Sequence, residues 1–178
     1  DGVKKALTKE VLASRAPTMW RYRELLPVRH SKNITALGEI MTPIIRLPAA
    51  EKSNGSSAPL LVKDEGRLPT GSFKARGLVM AVSMAKELGI TRMAMPTNGN
   101  AGAAMAAYCR RGGLEAYIFC PEDTPDINVR EIALQGAKVW KVNGYIDDCG
   151  KIVGEGKGPM GWFDTSTLKE PYRIEGKK

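Results

Sequence analysis

Lys74 lies in Gly66-Arg67-Leu68-Pro69-Thr70-Gly71-Ser72-Phe73-Lys74-Ala75-Arg76-Gly77, a turn that runs straight into helical periodicity. Pro69, Thr70 and Gly71 form helices and strands poorly. After them Ala75, Leu78, Val79, Val82, Ala85 and Leu88 recur at helical spacing, which predicts a helix starting near Ser72. Lys74 therefore falls in a first helical turn, where the helix dipole is positive and a carboxylate would be favoured. Such a lysine is either a solvated surface residue or one whose charge is suppressed. A lysine nearer neutrality is a nucleophile, suited to Schiff-base chemistry.

A second stretch, Pro96-Thr97-Asn98-Gly99-Asn100-Ala101-Gly102, also leads into a helix, the alanine-rich run to Arg111. Its glycines let the backbone approach a ligand closely. The helix N-terminus behind them offers unpaired N–H groups to an anion, and an amino-acid carboxylate is a natural guest. The same pattern can also be an Asx-type helix cap with no ligand.

Other chemistries have little to work with. His30 is the only histidine, so metal sites and Ser-His-Asp catalysis are poorly served, and no metal is expected. Cys109, Cys120 and Cys149 are odd in number and lack CxxC spacing, which fits free thiols in a reducing compartment. General acid–base work then falls to Lys, Asp, Glu or a cofactor. The charge of +8 comes from 27 basic and 19 acidic residues that are scattered, with only Arg21-Tyr22-Arg23 interleaved by an aromatic. That pattern argues against nucleic acid and leaves room for an anionic substrate. No apolar run approaches the ~20 residues of a membrane span, and the first residues lack the apolar stretch of a signal peptide. The expected setting is cytoplasmic, or a plastid if the source is a plant.

The positioning elements follow. Residues 1–36 read as an N-terminal arm, with a short amphipathic helix from Met19 to Leu26 stopped by Pro27 and packing Trp20 and Leu25 on the body. Glu51 to Pro59 reads as a polar surface loop, and Leu60-Leu61-Val62-Lys63-Asp64-Glu65 as a buried strand ending in two acids. Those acids are expected to pair with Lys63, Arg67 or Arg76 rather than to act in catalysis. Strands at Arg92–Met95, Glu115–Cys120 and Lys138–Val142 alternate with helices at Ala101–Arg111, Pro125–Leu134 and Tyr145–Val153. This alternation predicts an α/β fold with a doubly wound parallel sheet. Ligands of such sheets bind beyond the carboxyl ends of the strands, which puts residues 97–102 and Pro121 to Pro125 on the functional edge. Tyr117, Trp140, Met80, Met84, Met93, Met95 and Met105 are read as core. Gly154-Glu155-Gly156-Lys157-Gly158-Pro159 is read as a mobile surface turn.

The lysine stretch Pro69–Gly77 closely resembles the lysine motif of fold-type II pyridoxal phosphate (PLP) enzymes, the tryptophan synthase β-like group that includes threonine synthase, threonine dehydratase and cysteine synthase. Pro96–Gly102 resembles the Ser-x-Gly-Asn-x-Gly/Ala loop of the same group. Three further segments are similar to the threonine synthase branch. They are Trp20-Arg21-Tyr22 with Leu26-Pro27, Leu37 to Leu47 with Ile40 in place of a usual glycine, and Gly161 to Lys178. By this resemblance Lys74 carries the cofactor as a Schiff base and is the catalytic residue. Phe73 and Asn100 join it in binding PLP, Asn100 at the 3'-oxygen of the ring, while Thr97, Asn98, Ala101 and Gly102 grip the substrate.

The resemblance also implies a two-domain architecture, incomplete here. It would comprise 37–90 as the first part of the large PLP domain, 91–153 as the small α/β domain, and 154–178 as a return into the large domain. The implied reaction converts O-phospho-L-homoserine and water to L-threonine and phosphate, with the complete protein a homodimer. Cysteate synthase, threonine dehydratase and a non-catalytic anion-binding fragment are the alternatives. Threonine synthases continue for a comparable length beyond this segment, so residues 1–178 alone are not expected to be a competent enzyme.

Overall fold

The computed structural model describes residues 2–178. The arm holds α1 (Gly2–Ala6), α2 (Lys9–Ser14) and 3-10 segments at Met19–Leu25 and Ser31–Asn33. Next come β1 (Ile44–Arg46), α3 (Pro48–Ser53), β2 (Leu61–Lys63), 3-10 turns at Glu65–Arg67 and Pro69–Gly71, and α4 (Lys74–Glu87). The remainder is β3 (Arg92–Pro96), α5 (Asn100–Gly112), β4 (Glu115–Pro121), α6 (Asp126–Leu134), β5 (Lys138–Val142), α7 (Ile146–Gly156), β6 (Phe163–Asp164) and α8 (Tyr172–Glu175).

The main sheet is parallel, in the order β5-β4-β3-β6. From β3 the chain winds outward through β4 to β5, then crosses back to place β6 on the far side of β3. Pleating sends successive side chains to opposite faces. Met93 and Met95 of β3 thus enter a core with α4, α5 and Ile132, while Ala94 joins Tyr117, Phe119, Cys149 and Val153 on the α7 face. The expected doubly wound parallel sheet is present. The first of these cores also takes in Leu68 and α4, so it runs without a break from the lysine turn to the sheet.

Two glycines let α8 lie directly on α4. A Cβ on Gly176 would stand 2.1 Å from the Arg76 carbonyl oxygen, and one on Gly77 would stand 2.9 Å from the Arg173 carbonyl oxygen. This close approach fixes where Arg173 and Lys177 project.

Several expectations need correction. The helix expected at Met19–Leu26 is a 3-10 segment kinked at Tyr22, and only Trp20 packs on the body, since Leu25 is exposed along an apolar groove. The predicted surface loop begins as the last turn of α3, which Pro48 starts at its first position. The strand expected to be buried, β2, pairs only with β1, antiparallel, and its residues are exposed because no described layer covers the pair. Trp140 is not core. It sits on the edge strand β5, 45% exposed, stacked on Phe119 with ring centroids 5.2 Å apart. The glycine run from Gly154 begins inside α7, where bare Gly156 makes room for the Trp162 ring. The turn in the Leu37–Leu47 segment rests on Gly38, at φ +92°, so Ile40 is free to bridge to Thr18.

The methionines assigned to packing are all buried, and Asp64 and Glu65 pair as expected. Arg67 meets Asp64 at 3.0 Å and Arg76 meets Glu65 at 2.5 Å. Among the described residues no helix is long and apolar enough to cross a membrane, and no cluster of ligating side chains could hold a metal.

Candidate active site

From β3 the chain moves to β4 on one side, while β6 returns on the other side of β3, and ligands of such sheets bind beyond the carboxyl ends where the strand order reverses. A cleft of about 460 Å³ lies there. Its walls include Lys74 from α4, Pro96 to Ala101 from the β3–α5 loop, Asn128 from α6, Ile146 from α7, and Thr167 and Arg173 from the segment after β6. Residues far apart in sequence thus meet where the topology reverses.

Lys74 is the first residue of α4, one position after the turn that bends the chain toward the cleft. That turn has two consecutive left-handed residues, Thr70 (φ +63°) and Gly71 (φ +65°). Such a conformation is free for glycine but costs a β-branched residue about 1–3 kcal/mol. Ser72 then caps the start, its hydroxyl accepting from the Lys74 N–H at 3.3 Å. The Lys74 ammonium stands 4.3 Å from the centre of the Phe73 ring, and the Lys177 ammonium 5.7 Å from the same ring. Phe73 is half exposed and does not line the cleft; its ring lies close to both cations.

The β3–α5 loop is organised by Thr97. Its buried hydroxyl accepts from the Gly99 and Gly102 N–H groups, each at 3.1 Å, and so caps α5. Neither asparagine performs that task. The backbone N–H groups of Asn98, Asn100 and Ala101 have no partner among the described residues, and all three residues line the cleft. Three donors therefore remain for a ligand at a helix N-terminus. Gly102 has a different part: its N–H is already taken, and a Cβ there would stand 2.5 Å from the Thr97 methyl. It allows Thr97 to pack rather than lining the cleft itself.

Arg173 was not found from sequence. It is 5% exposed, donates through Nη1 to the Thr165 carbonyl at 2.6 Å, and leaves its buried Nε without a partner. Burial pulls its pKa down, as it does that of Lys177, which is further lowered by the positive charges of Arg173 and Lys74. The one nearby carboxylate, buried Glu170, is pushed up by burial while accepting from the Tyr172 and Arg173 N–H groups. Arg173 and Lys177 thus share one reluctant carboxylate, with Lys74 adding its charge beside Lys177. A buried guanidinium with an open donor is costly unless an anion completes it. Asn128, Thr167 and Ile146 were also missed, since each reaches the cleft only through the crossovers. The three cysteines are buried and free, and burial pushes the Cys120 thiol up to about 11. They take no part in the cleft.

The chain matches the family described as "Pyridoxal-phosphate dependent enzyme" over residues 35–178. It is 36% identical over its whole length to the threonine synthase of Methanocaldococcus jannaschii, and 37% identical over 88% of its length to that of Synechocystis. It covers 44% and 41% of those proteins, so it spans less than half the length of these curated relatives. The fold aligns with Escherichia coli diaminopropionate ammonia lyase in its apo form at a TM-score of 0.70, with 20% identity, over 86% of this chain and 53% of that one. The parallel α/β architecture is that of the fold-type II enzymes. With the family matched across most of its length, this chain belongs to the pyridoxal-phosphate dependent enzymes, whose cofactor is pyridoxal phosphate.

Proposed function

We propose that the protein containing this chain is a threonine synthase, converting O-phospho-L-homoserine and water to L-threonine and phosphate. The observation that carries the reading is the convergence in one cleft of Lys74, three unpartnered N–H groups and a buried arginine with an open donor. The curated relatives named threonine synthase support it.

The residues present fit the family cofactor. Lys74 would hold it through a Schiff base, and the Asn100 amide, exposed at the cleft, would donate to a phenolate-like oxygen of its ring. When bound, PLP supplies an electron sink for carbanion chemistry. The chain's own residues supply placement and proton handling. The N–H groups of Asn98, Asn100 and Ala101 would seat the substrate carboxylate and so orient its Cα toward Lys74. The Lys74 amine, once free, is the base placed to move protons at Cα and Cβ. Arg173 would receive a second anionic group, which a phosphorylated substrate has and threonine lacks. That extra cation favours threonine synthase over a threonine dehydratase on the same fold.

The test begins with borohydride reduction of the PLP-loaded protein and peptide mapping, where the label is expected on Lys74. In Lys74→Ala the label and the yellow colour should vanish while the circular dichroism stays native. A label on a different lysine rejects the assignment. Phosphate release from O-phospho-L-homoserine is then compared with 2-oxo acid release from threonine. Oxo acid without phosphate would identify a dehydratase.

A further inference from the structure

The peptide joining Asn98 to Gly99 is held at both poles. Its N–H, on Gly99, donates to the Thr97 hydroxyl at 3.1 Å, and its carbonyl oxygen, on Asn98, accepts from the Asn128 amide nitrogen at 3.2 Å. A trans peptide carries these poles on opposite sides, so fixing both fixes the plane. Asn128 comes from the first turn of α6 and is half buried at the wall of the cleft. Gly99 is fitted to it. Its φ of +151° is a glycine conformation, and a Cβ there would stand 2.7 Å from the Asn128 amide nitrogen.

Were that plane to turn, the Asn98 carbonyl would be released toward the loop's open side, and an acceptor would compete with the donors of Asn98 and Asn100. An anion would then meet a carbonyl dipole where it needs an N–H. We infer that Asn128 is a positioning residue, which keeps residues 98–101 presenting donors and so sets affinity for the substrate's carboxylate. This rests on the threonine synthase reading above, and it assigns to α6 a part in binding that Lys74 and Asn100 do not perform.

Two variants of the complete PLP-loaded protein test it. Asn128→Asp keeps the size and shape of the side chain but replaces the donor with a carboxylate, which repels the Asn98 carbonyl. Asn128→Ala removes the group. Both should raise KM for O-phospho-L-homoserine at least tenfold, Asp more than Ala, while kcat falls less than threefold. The borohydride label on Lys74 should persist. Amide hydrogen exchange at Gly99 and Gly102, whose N–H groups donate to the Thr97 hydroxyl, should quicken about tenfold in the cofactor-free protein, with the thermal midpoint within a few degrees of the parent's. KM unchanged within twofold in both variants overturns the inference. So does a loss confined to kcat, or an Asp variant that matches the parent, since either would leave only a space-filling role. If the parent itself fails to label Lys74 or to turn over this substrate, the functional reading fails. The exchange measurement still decides whether Asn128 orders the loop.

Discussion

Ala116, Ile118 and Cys120 of β4 face one layer of helices and Tyr117 and Phe119 the other, and all five are buried. Ile44, Ile45, Leu61 and Val62 of the β1–β2 hairpin put apolar side chains on both faces, with Arg46 and Lys63 sharing one of them, and all four are exposed, Ile44 to 65%. An apolar strand expresses a need for cover, and cover is supplied by other elements. β4 has α5 on one side and α7 on the other, whereas among the described residues the hairpin has neither. Polar ties hold the hairpin instead. The Asp64 N–H donates to the Pro43 carbonyl at 3.0 Å, Thr42 donates to Glu65 at 2.5 Å, and Arg76 clasps the same carboxylate from α4. The cleft sits on the well-covered side, where rigid strands and capped helices can hold donors in place.

The largest effect should come from the covered strand. Ile118 is wholly buried between α5 and α6 side chains and close to the Gly102 contact. Truncating it removes apolar burial and leaves a cavity, so Ile118→Ala should cost about 2–5 kcal/mol. Urea unfolding followed by fluorescence reads this directly. A loss below about 1 kcal/mol would mean that the sheet core repacks freely, and that the two regions differ less than their burial suggests.

A smaller effect separates the hairpin's tether from the seat of α8 by pH. The Arg76 hydrogen bond holds Glu65 down at about 2, against an ordinary glutamate near 4.3. A lowered carboxylate gives stability that is fully present above the unfolded value and is lost as pH falls from about 4.3 toward 2. Glu170 is shifted the other way, by burial. Its contribution is present below the unfolded value and is lost as pH rises through the raised folded value. Glu65→Gln should therefore lower the urea midpoint at neutral pH, with the gap to the parent closing in acid. Glu170→Gln should show its gain, or its smallest loss, at neutral pH. Parallel curves for parent and variants between pH 3 and 8 would show that neither carboxylate is shifted.

The legible parts of this molecule are the local ones. Lys74 and the Thr97–Gly102 loop are contiguous stretches at helix starts, and glycine, threonine and asparagine there point to chemistry without knowledge of the fold. The strand–helix alternation from Arg92 to Val153 likewise reports each element's own periodicity. Arg173 was hidden because its role depends on α8 touching α4. The signal lay in the pair Gly77 and Gly176, each bare where the other helix passes. Asn128 was hidden by a similar dependence, although its place three residues after Pro125, on the edge where ligands bind, marks it as near the cleft. The misreading of β2 and Trp140 has one cause. Apolar sequence shows what a strand requires, and only the neighbours show whether the requirement is met.

The smallest expected change is the sharpest check of that distinction. Leu61 is 56% exposed on β2, opposite Arg46 across the hairpin. Leu61→Ala removes a side chain that has little contact to lose and leaves no closed cavity, so unfolding stability should shift by no more than about 0.5 kcal/mol. What it does remove is apolar surface on a short antiparallel pair with two open edges, a known template for association. The variant should therefore match the parent in urea midpoint while showing less concentration-dependent scattering in light-scattering measurements. If it instead lost as much stability as Ile118→Ala, the hairpin would have to be covered in solution. Equal need and unequal cover would then no longer describe the two regions.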